Sequence, residues 1–269
     1  MTTPDAVQAA VERLANAQET GVPCAPVRDL IGTDDLAAAY AVQQGLVQAR
    51  LAAGATVVGR KIGATSKAVQ DQLGVDQPDF GYLLDEMDVS DAAREGGGPI
   101  SMRSLLQPRV EAEVAFRLGR DIDVPEDQIT LELVRAAVDV ALPALEIVDS
   151  RIAEWQIKFT DTVADCASSG LFVVGTDAKP LAELEPVDVV MSLTINGEER
   201  SAGNGAACLG DPLEALRWLA VQAARFGDPL RAGHLILSGA LGPFVPFAAG
   251  DRVEASISGF DTLSVVFGE

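Results

Sequence analysis

Two glutamates separated by a single residue are the first feature of this sequence that could do chemistry. Residues 106–118 alternate as a strand would, and the apolar side chains of one face are Val110, Ala112, Val114, Phe116 and Leu118. Glu111 and Glu113 then lie together on the other face, with Cβ atoms roughly 7 Å apart. Carboxylates at that spacing can share a hard cation such as Mg²⁺ or Mn²⁺. A solvated strand face with alternating Glu and Arg fits the same pattern, so this segment alone leaves both readings open.

Two further charged positions lie in settings that could belong to a site. Glu146 is embedded in the apolar strand-like segment 144–151, where burying a carboxylate is costly unless it is paired or bound to a cation. This favours Glu146 as a third ligand, whereas Asp149 falls on the opposite strand face. Lys61 follows Arg60 just after a short predicted strand, 56–59. The two basic residues could bind a carboxylate substrate. The same pattern fits a basic pair on the surface equally well.

Composition restricts the classes of function. The chain has 269 residues, 48% of them hydrophobic, which is typical of a globular protein with a sizeable core. A formal net charge of −20 disfavours binding to nucleic acid or to anionic membranes. We find no apolar run of about 18 residues, and the first residues lack the basic and apolar regions of a signal peptide. We therefore expect a cytoplasmic location.

Cysteine and histidine are too few to supply the common metal or nucleophile sites. Cys24, Cys166 and Cys208 are far apart and form neither a disulfide framework nor a CxxC motif. The single histidine, His234, directly precedes the apolar run 235–237, which is typical of a strand edge. One histidine cannot build a multi-histidine site, and no G-x-S-x-G motif is present. Acid–base chemistry would then fall to Asp, Glu, Lys or a metal-bound water.

The elements that must position these residues are a helical start and a later mixture of strands and helices. Thr3 and Thr33 are predicted N-caps of two helices that end near residues 20 and 54. We therefore predict a helical region at 1–54 packed on a catalytic domain at 55–269, or a single domain if the two regions are counted together.

The catalytic part shows no strict alternation of strands and helices. The further predicted elements are a short helix from Ser66 to Leu73, turn residues at 74–81, a helix from Thr130 to about Ala141 that Pro143 stops, a strand at 171–174, a helix at 211–227, a strand at 235–237 with a turn at 238–243, and hairpins at 187–201 and 252–267. This order favours the α+β class with a mixed or antiparallel sheet.

Several segments, taken in order, resemble one known family. They include Gln107-Pro108-Arg109-Val110-Glu111-Ala112-Glu113, and the others are 25–32, 58–63, 72–81, 142–146, 161–165 and 238–243. The chain is similar to the 2-keto-4-pentenoate hydratases (2-hydroxypenta-2,4-dienoate hydratases) of the fumarylacetoacetate hydrolase superfamily. Cys166 departs from the pattern, because the family usually has asparagine there. The role of Arg109 stays open.

The resemblance implies a fold, a site and an activity. It implies a mixed β-roll core, a divalent metal (Mg²⁺ or Mn²⁺) held by Glu111, Glu113 and Glu146, and three residues near the substrate, which are Lys61, Asp79 and Ser168. The implied enzyme is a hydro-lyase that adds water to 2-hydroxypenta-2,4-dienoate to give 4-hydroxy-2-oxopentanoate during meta-cleavage degradation of aromatic compounds. It also implies a homo-oligomer, such as a pentamer or decamer, with an aldolase or decarboxylase of the pathway as a further partner.

Three other functions share this scaffold. A 4-oxalocrotonate decarboxylase would use the same metal-stabilised enolate, so the three glutamates do not separate it from a hydratase. A C–C bond hydrolase of diketo acids requires a water activated by a histidine. His234 is poorly placed for that role. An inactive scaffold partner of an aldolase would bind no metal.

Overall fold

Two sheets and a helical N-terminal region build the protein. The computed structural model describes residues 2–66, 70–71, 75, 77–94 and 97–269. The helices, numbered along this part of the chain, are α1 (Pro4–Thr20), α2 (Arg28–Ile31), α3 (Leu36–Ala52), α4 (Leu131–Ala137), α5 (Phe159–Ala164) and α6 (Pro212–Arg225). The strands are β1 (Val57–Gly63), β2 (Asp79–Leu84), β3 (Ile100–Ser101), β4 (Pro108–Leu118), β5 (Val138–Asp149), β6 (Ser169–Val174), β7 (Val190–Ile195), β8 (Glu198–Asn204), β9 (Leu235–Ala240), β10 (Val245–Pro246), β11 (Arg252–Ile257) and β12 (Leu263–Gly268).

The larger sheet carries the candidate site. Its seven strands run in the order β2-β1-β9-β4-β5-β6, with β10 added on β4. Strands β1 and β9 are parallel, whereas β4 is antiparallel to both β9 and β5. The second sheet has the order β3-β12-β11-β7-β8. Mixed sheets together with helices confirm the predicted α+β class.

The predicted apolar face of β4 forms the centre of the main core. Val110, Val114 and Phe116 are completely buried, and they belong to one cluster with side chains of the second sheet such as Leu193 and Val253. The opposite face of β4 therefore points away from the second sheet. Glu111 and Glu113 lie on that opposite face and are buried as well, at 5% and 0% exposure. Their burial excludes the solvated strand face that the sequence left open.

The N-terminal helices cover the side of the larger sheet near the candidate site. Leu14 of α1 and Val42 of α3 share a cluster with Ile152 and Val163. Gln43 is 1% exposed, and its amide donates to the carbonyl oxygens of Phe80 and Val163. These bonds connect α3 to the strand and helix that hold site residues. The boundary between a helical region at 1–54 and a catalytic domain at 55–269 stays a prediction. No helix in the described ranges is long and apolar enough to span a membrane.

The predicted helix from Thr130 to Ala141 is wrong in its second half. Thr130 caps α4 as expected, but the helix ends at Ala137 and β5 begins at Val138. Valines at 138 and 140 are β-branched and favour a strand. Pro143 lies inside β5 where the pairing with β6 begins, a position at which a missing N–H is tolerated.

Four other boundaries also differ from the prediction. The N-cap of α3 is Asp35 rather than Thr33, and its side chain accepts a hydrogen bond from the Ala38 N–H. Arg60 and Lys61 lie within β1 rather than after it, and β9 extends through Ala240 into the predicted turn. Asp79 begins β2, so only part of the predicted turn at 74–81 is a turn. The predicted helix from Ser66 to Leu73 includes residues outside the described part of the chain. The two predicted hairpins and the helix capped by Asp211 are confirmed.

Candidate active site

Three buried carboxylates from adjacent strands meet at one point. Glu111 and Glu146 are direct partners in the antiparallel pairing of β4 with β5, and Glu113 lies two residues further along β4. One carboxylate oxygen from each of the three lies within 4.8 Å of the others. Like charges opposite each other in a sheet are destabilising. A cluster of this kind therefore needs protons or a cation.

Several oxygens of the cluster have no hydrogen-bond partner among the described residues. Glu113 Oε2 accepts from the Gly239 N–H at 2.8 Å, but Glu113 Oε1 and both oxygens of Glu146 make no hydrogen bond. Lys61 Nζ lies 3.0 Å from Glu146 Oε1 as an ion pair without hydrogen-bond geometry. Buried oxygens left this way are costly. They are the donor atoms that a hard divalent cation prefers.

Electrostatics favours protonated acids in the metal-free cluster. Burial, followed by the charge of Glu146, raises the pKa of Glu111 to about 8. Burial also raises the pKa of Glu113 well above its usual range and that of Glu146 above it. Burial alone would lower the pKa of Lys61, but the surrounding carboxylates, first Glu146, outweigh it and raise that pKa. The lysine therefore stays charged and provides the cluster with one fixed positive charge.

Metal affinity should depend on pH as a consequence of these shifts. Because the acids hold protons below their raised pKa values, a metal must displace protons to bind. We expect the Kd for Mn²⁺ to fall as the pH rises through about 8, the pKa of Glu111. Calorimetry in two buffers of different ionisation enthalpy measures the protons released. Binding without proton release near neutral pH would contradict this prediction.

Asp79 is placed beside the cluster by a residue that the sequence did not single out for a role. The carboxylate is 2% exposed, and its Oδ2 accepts a hydrogen bond from Thr162 Oγ1 at 2.9 Å. Burial raises the pKa of Asp79, and the charge of Lys61 partly opposes that shift. Asp79 and Thr162 are 83 residues apart in sequence. Only the resemblance of segment 161–165 to the family pointed toward Thr162.

A glycine in β1 gives a way to move Asp79 without replacing an ionisable group. A Cβ on Gly63 would overlap with Asp79 Oδ1 and would come within 3.4 Å of Lys61 Nζ. Because Thr162 and the packed surroundings restrict Asp79, we expect Gly63→Ala to lower kcat at least about 10-fold while Mn²⁺ binding is retained. Gly98→Ala is the matched control, since nothing lies within 4 Å of its added Cβ. Wild-type kcat in Gly63→Ala would show that the position of Asp79 is unimportant.

Ser168 reaches the site from a left-handed turn. Cys166, Ala167 and Ser168 all have φ of 53°, a conformation that costs energy in non-glycine residues and is concentrated at functional sites. Ser168 is 3% exposed, and within the part of the chain that the structure describes its Oγ has no hydrogen-bond partner. An unpaired buried hydroxyl can donate to a substrate oxygen or to water.

The predicted catalytic residues share one small cavity. It is lined by Lys61, Gly63, Ala64, Thr65, Asp79, Glu111, Val148, Trp155, Thr162, Ala167, Ser168, Ala240 and Phe244. Its volume is about 30 Å³, room for about one water or ion. A five-carbon dienoate is larger than this volume, so some side chains that line the cavity would have to move to admit it. A larger cavity of about 460 Å³, between α1, α3, β2 and β6, contains neither Lys61 nor any of the three glutamates.

Two residues noted in the sequence lie away from this cavity. His234 directly precedes β9, and its Nδ1 accepts from the Arg231 N–H at 3.2 Å near the surface. Cys166 borders the larger cavity instead, and burial raises the pKa of its thiol to about 11. The departure from the family's asparagine therefore leaves a neutral thiol outside the candidate site. All three cysteines are free.

Comparisons with known proteins show the family to which the chain belongs. The family model described as fumarylacetoacetate (FAA) hydrolase C-terminal matches residues 56–267. The TodF product hydratase of Pseudomonas putida F1 is 50% identical over 97% of this chain and 95% of its own length. The 2-keto-4-pentenoate hydratase of Paraburkholderia xenovorans LB400 is 49% identical over 98% and 96%.

A solved structure extends the similarity to the fold. The 4-oxalocrotonate decarboxylase of Pseudomonas putida G7, complexed with magnesium and adipate, has a TM-score of 0.91 and 31% identity over 99% of both chains. The predicted core of the fumarylacetoacetate hydrolase type is thereby confirmed. From the family match over most of its length and the full-length relatives, we conclude that this chain belongs to the fumarylacetoacetate hydrolase family.

Proposed function

We propose that this protein is a metal-dependent hydratase in the meta-cleavage degradation of aromatic compounds. It would add water to 2-hydroxypenta-2,4-dienoate (2-keto-4-pentenoate) and release 4-hydroxy-2-oxopentanoate. The observation that carries the proposal is the cluster of three buried carboxylates with Lys61, in a chain about 50% identical to hydratases over nearly its full length.

The donor set of the cluster fits a divalent cation. Glu111, Glu113 and Glu146 offer only oxygen ligands, and three of those oxygens lack hydrogen-bond partners. We propose that these residues hold Mg²⁺ or Mn²⁺, and the choice between the two ions stays a prediction. A cation bound there would supply Lewis-acid stabilisation of negative charge on the C2 oxygen of the substrate.

The remaining residues would orient groups and move protons. Conversion of the dienol to 2-oxopent-3-enoate transfers a proton to C5 and makes C4 electrophilic, and water addition at C4 then places a proton on C3. We propose that Asp79, with its raised pKa and its bond from Thr162, carries these protons. Lys61 holds Glu146 in place, and its charge favours a developing enolate. The Ser168 hydroxyl would donate to a substrate oxygen or to the water.

A direct assay tests this function. Purified protein should remove the ultraviolet absorbance of 2-hydroxypenta-2,4-dienoate and form 4-hydroxy-2-oxopentanoate, identified by mass spectrometry. A chelator should abolish the reaction, and Mg²⁺ or Mn²⁺ should restore it. Full activity in metal-free buffer would overturn the metal assignment, and absence of hydration with any metal would overturn the function.

The decarboxylase is the second candidate, and the solved structure with a TM-score of 0.91 favours it. We prefer the hydratase because the identity to hydratases is 50%, compared with 31% to that decarboxylase. Release of CO₂ from 2-oxohex-3-enedioate, measured beside loss of the five-carbon dienoate, separates the two activities. A C–C bond hydrolase would need a histidine beside the reacting water. His234 is not among the residues that line the cavity.

Assembly, location and partners stay predictions. We propose a cytoplasmic homo-oligomer, a pentamer or a decamer, that works beside an aldolase or decarboxylase of the same pathway. Light scattering of the purified protein would measure the number of subunits.

A further inference from the structure

An arginine packs on two aromatic rings that line the cavity of the candidate site, and we call Arg109, Trp155 and Phe244 the rim of that site. Arg109 is two residues before Glu111 on β4, on the same face of the strand, and it is partly buried. It forms no ion pair with any residue in the described ranges. Its Cζ lies 4.8 Å from the ring centroid of Trp155 and 4.9 Å from that of Phe244. Both rings line the cavity that contains Lys61 and Glu111.

Trp155 and the residues before it are held in place by hydrogen bonds with Gln107, the residue directly before β4. Gln107 Nε2 donates to the carbonyl oxygens of Ser150 and Ile152, both at 2.8 Å, and its Oε1 accepts from the Glu154 N–H at 2.7 Å. The Trp155 indole N–H in turn donates to the Gln107 carbonyl oxygen at 3.0 Å. These bonds fix the loop at residues 150–155 against the start of β4, immediately beside Arg109.

The loop adopts an unfavourable backbone to reach that position. Glu154 and Trp155 have φ of 56° and 54°, in the left-handed region that is costly for such residues. Strain of this kind persists only where the surroundings impose it, and it clusters at functional sites. The hydrogen bonds of Gln107 supply that constraint. The rim around Arg109 is therefore a built feature of the fold.

The two rings leave the guanidinium able to bind an anion. Their centroids are 5.6 Å apart with an angle of 29° between planes, so Arg109 lies across the pair at nearly equal distances. A guanidinium packed on aromatic rings is stabilised through its flat face. Its N–H groups point along its edges and match the two oxygens of a carboxylate.

Three other cations near the site, all in the described part of the chain, are already engaged with acids. Lys61 lies 3.0 Å from Glu146, Arg60 Nη2 lies 2.5 Å from Asp228, and Arg151 Nε lies 2.5 Å from Asp165. The substrate of the proposed function carries a carboxylate and must approach three glutamates in a protein with a net charge of −20. An anion needs a local positive potential to enter such a site.

We propose that Arg109 binds the carboxylate of the incoming substrate at the rim and thereby favours carboxylate anions over neutral molecules. This inference rests on the proposed function for the identity of the substrate. The residues that support Arg109 are Trp155, Phe244 and Gln107, through the contacts given above. Glu111 then lies one strand repeat further into the site, where the metal would be held.

Kinetics of two charge variants test the inference. We expect Arg109→Gln to raise KM for the dienoate about 10- to 100-fold, with a smaller change in kcat, because one charge-assisted contact is lost. The Kd for Mn²⁺ should stay within about 2-fold of wild type, since Arg109 is not a ligand. Arg117→Gln is the matched control: it makes the same charge change on the same face of β4 at an exposed position. Its KM should equal that of wild type.

A binding measurement separates this inference from the proposed reaction. Pyruvate has the carboxylate and C2 oxygen of a 2-oxo acid, and its Kd can be measured by calorimetry on the Mn²⁺-loaded protein. Weaker pyruvate binding in Arg109→Gln, but not in Arg117→Gln, supports the inference even if wild type fails to hydrate the dienoate. Unchanged pyruvate binding and unchanged KM in Arg109→Gln would overturn it while leaving the hydratase function intact.

A second variant covers the case in which Arg109→Gln lowers stability. Arg109→Lys retains the positive charge and much of the apolar stem but lacks the planar fork. Carboxylate binding predicts a pyruvate Kd between those of wild type and Arg109→Gln. A purely structural role for the stacked arginine predicts lower thermal stability with wild-type pyruvate affinity, and that result would overturn the inference.

Discussion

Replacing Glu113 by Gln is expected to lower kcat/KM for dienoate hydration at least about 1,000-fold, because loss of a ligand removes several kcal/mol of charge stabilisation. Glu113 is completely buried, and one of its oxygens has no hydrogen-bond partner. Glutamine has the same shape and can still accept the bond from Gly239, so the fold should persist. Activity assays and Mn²⁺ calorimetry measure both consequences.

The stability of the same variant distinguishes a metal ligand from a structural residue. Burial already raises the pKa of Glu113, so the metal-free protein gains little from a charge there. We therefore expect the Tm of metal-free Glu113→Gln to equal or exceed that of wild type, while Mn²⁺ stabilises only wild type. Glu198→Gln, at an exposed position of β8, is the control and should change neither property. Strong Mn²⁺ binding by Glu113→Gln would remove Glu113 from the ligand set.

Replacing Lys61 by Met should cost both activity and stability. Lys61 and Glu146 are 2% and 1% exposed, and removing one member of a buried pair typically destabilises a protein by about 3–5 kcal/mol. The loss should be largest above about pH 8, where Glu111 also deprotonates, and smaller at lower pH, where the carboxyls hold protons. Urea denaturation of the metal-free protein at several pH values measures it.

A metal-rescue measurement and a control variant accompany the Lys61→Met experiment. Saturating Mn²⁺ should recover part of the lost stability, because the cation compensates the carboxylates, but it should not restore wild-type kcat. Lys179→Met, which removes a surface lysine 2.8 Å from Asp177, should leave stability nearly unchanged. A Lys61→Met protein as stable as wild type at every pH would show that Lys61 does not compensate the cluster.

The face of β4 that carries the two glutamates was predictable from the sequence, because alternation on a strand is a local property. Glu146 was predicted as a ligand from its apolar neighbours, and the structure brings it to the other two glutamates. The register that sets Glu146 opposite Glu111 was not predictable from local pattern. Strand pairing is a tertiary property, and the helix-like residues before Pro143 concealed the start of β5.

The surroundings of the cluster could not be predicted for the same reason. Thr162 donates to Asp79 across 83 residues of sequence, and Arg109 packs on a tryptophan from the loop after β5. Neither contact leaves a periodic signal. The resemblance to a known family named Asp79 and Ser168, but it gave no role to Arg109. The functional roles of Asp79, Ser168 and Arg109 stay predictions until the variants are measured.

The position of β4 within its sheet has a consequence for how the protein would lose its metal site. Glu113 pairs with Ala144 on one side and Ala240 on the other, so the strand is bonded along both edges. Amides of such central strands exchange with solvent only when most of the molecule opens. Hydrogen exchange at residues 111–116 should therefore be as slow without metal as the global stability permits. The three carboxylates would then hold their positions before a metal binds, and metal binding would require no folding step.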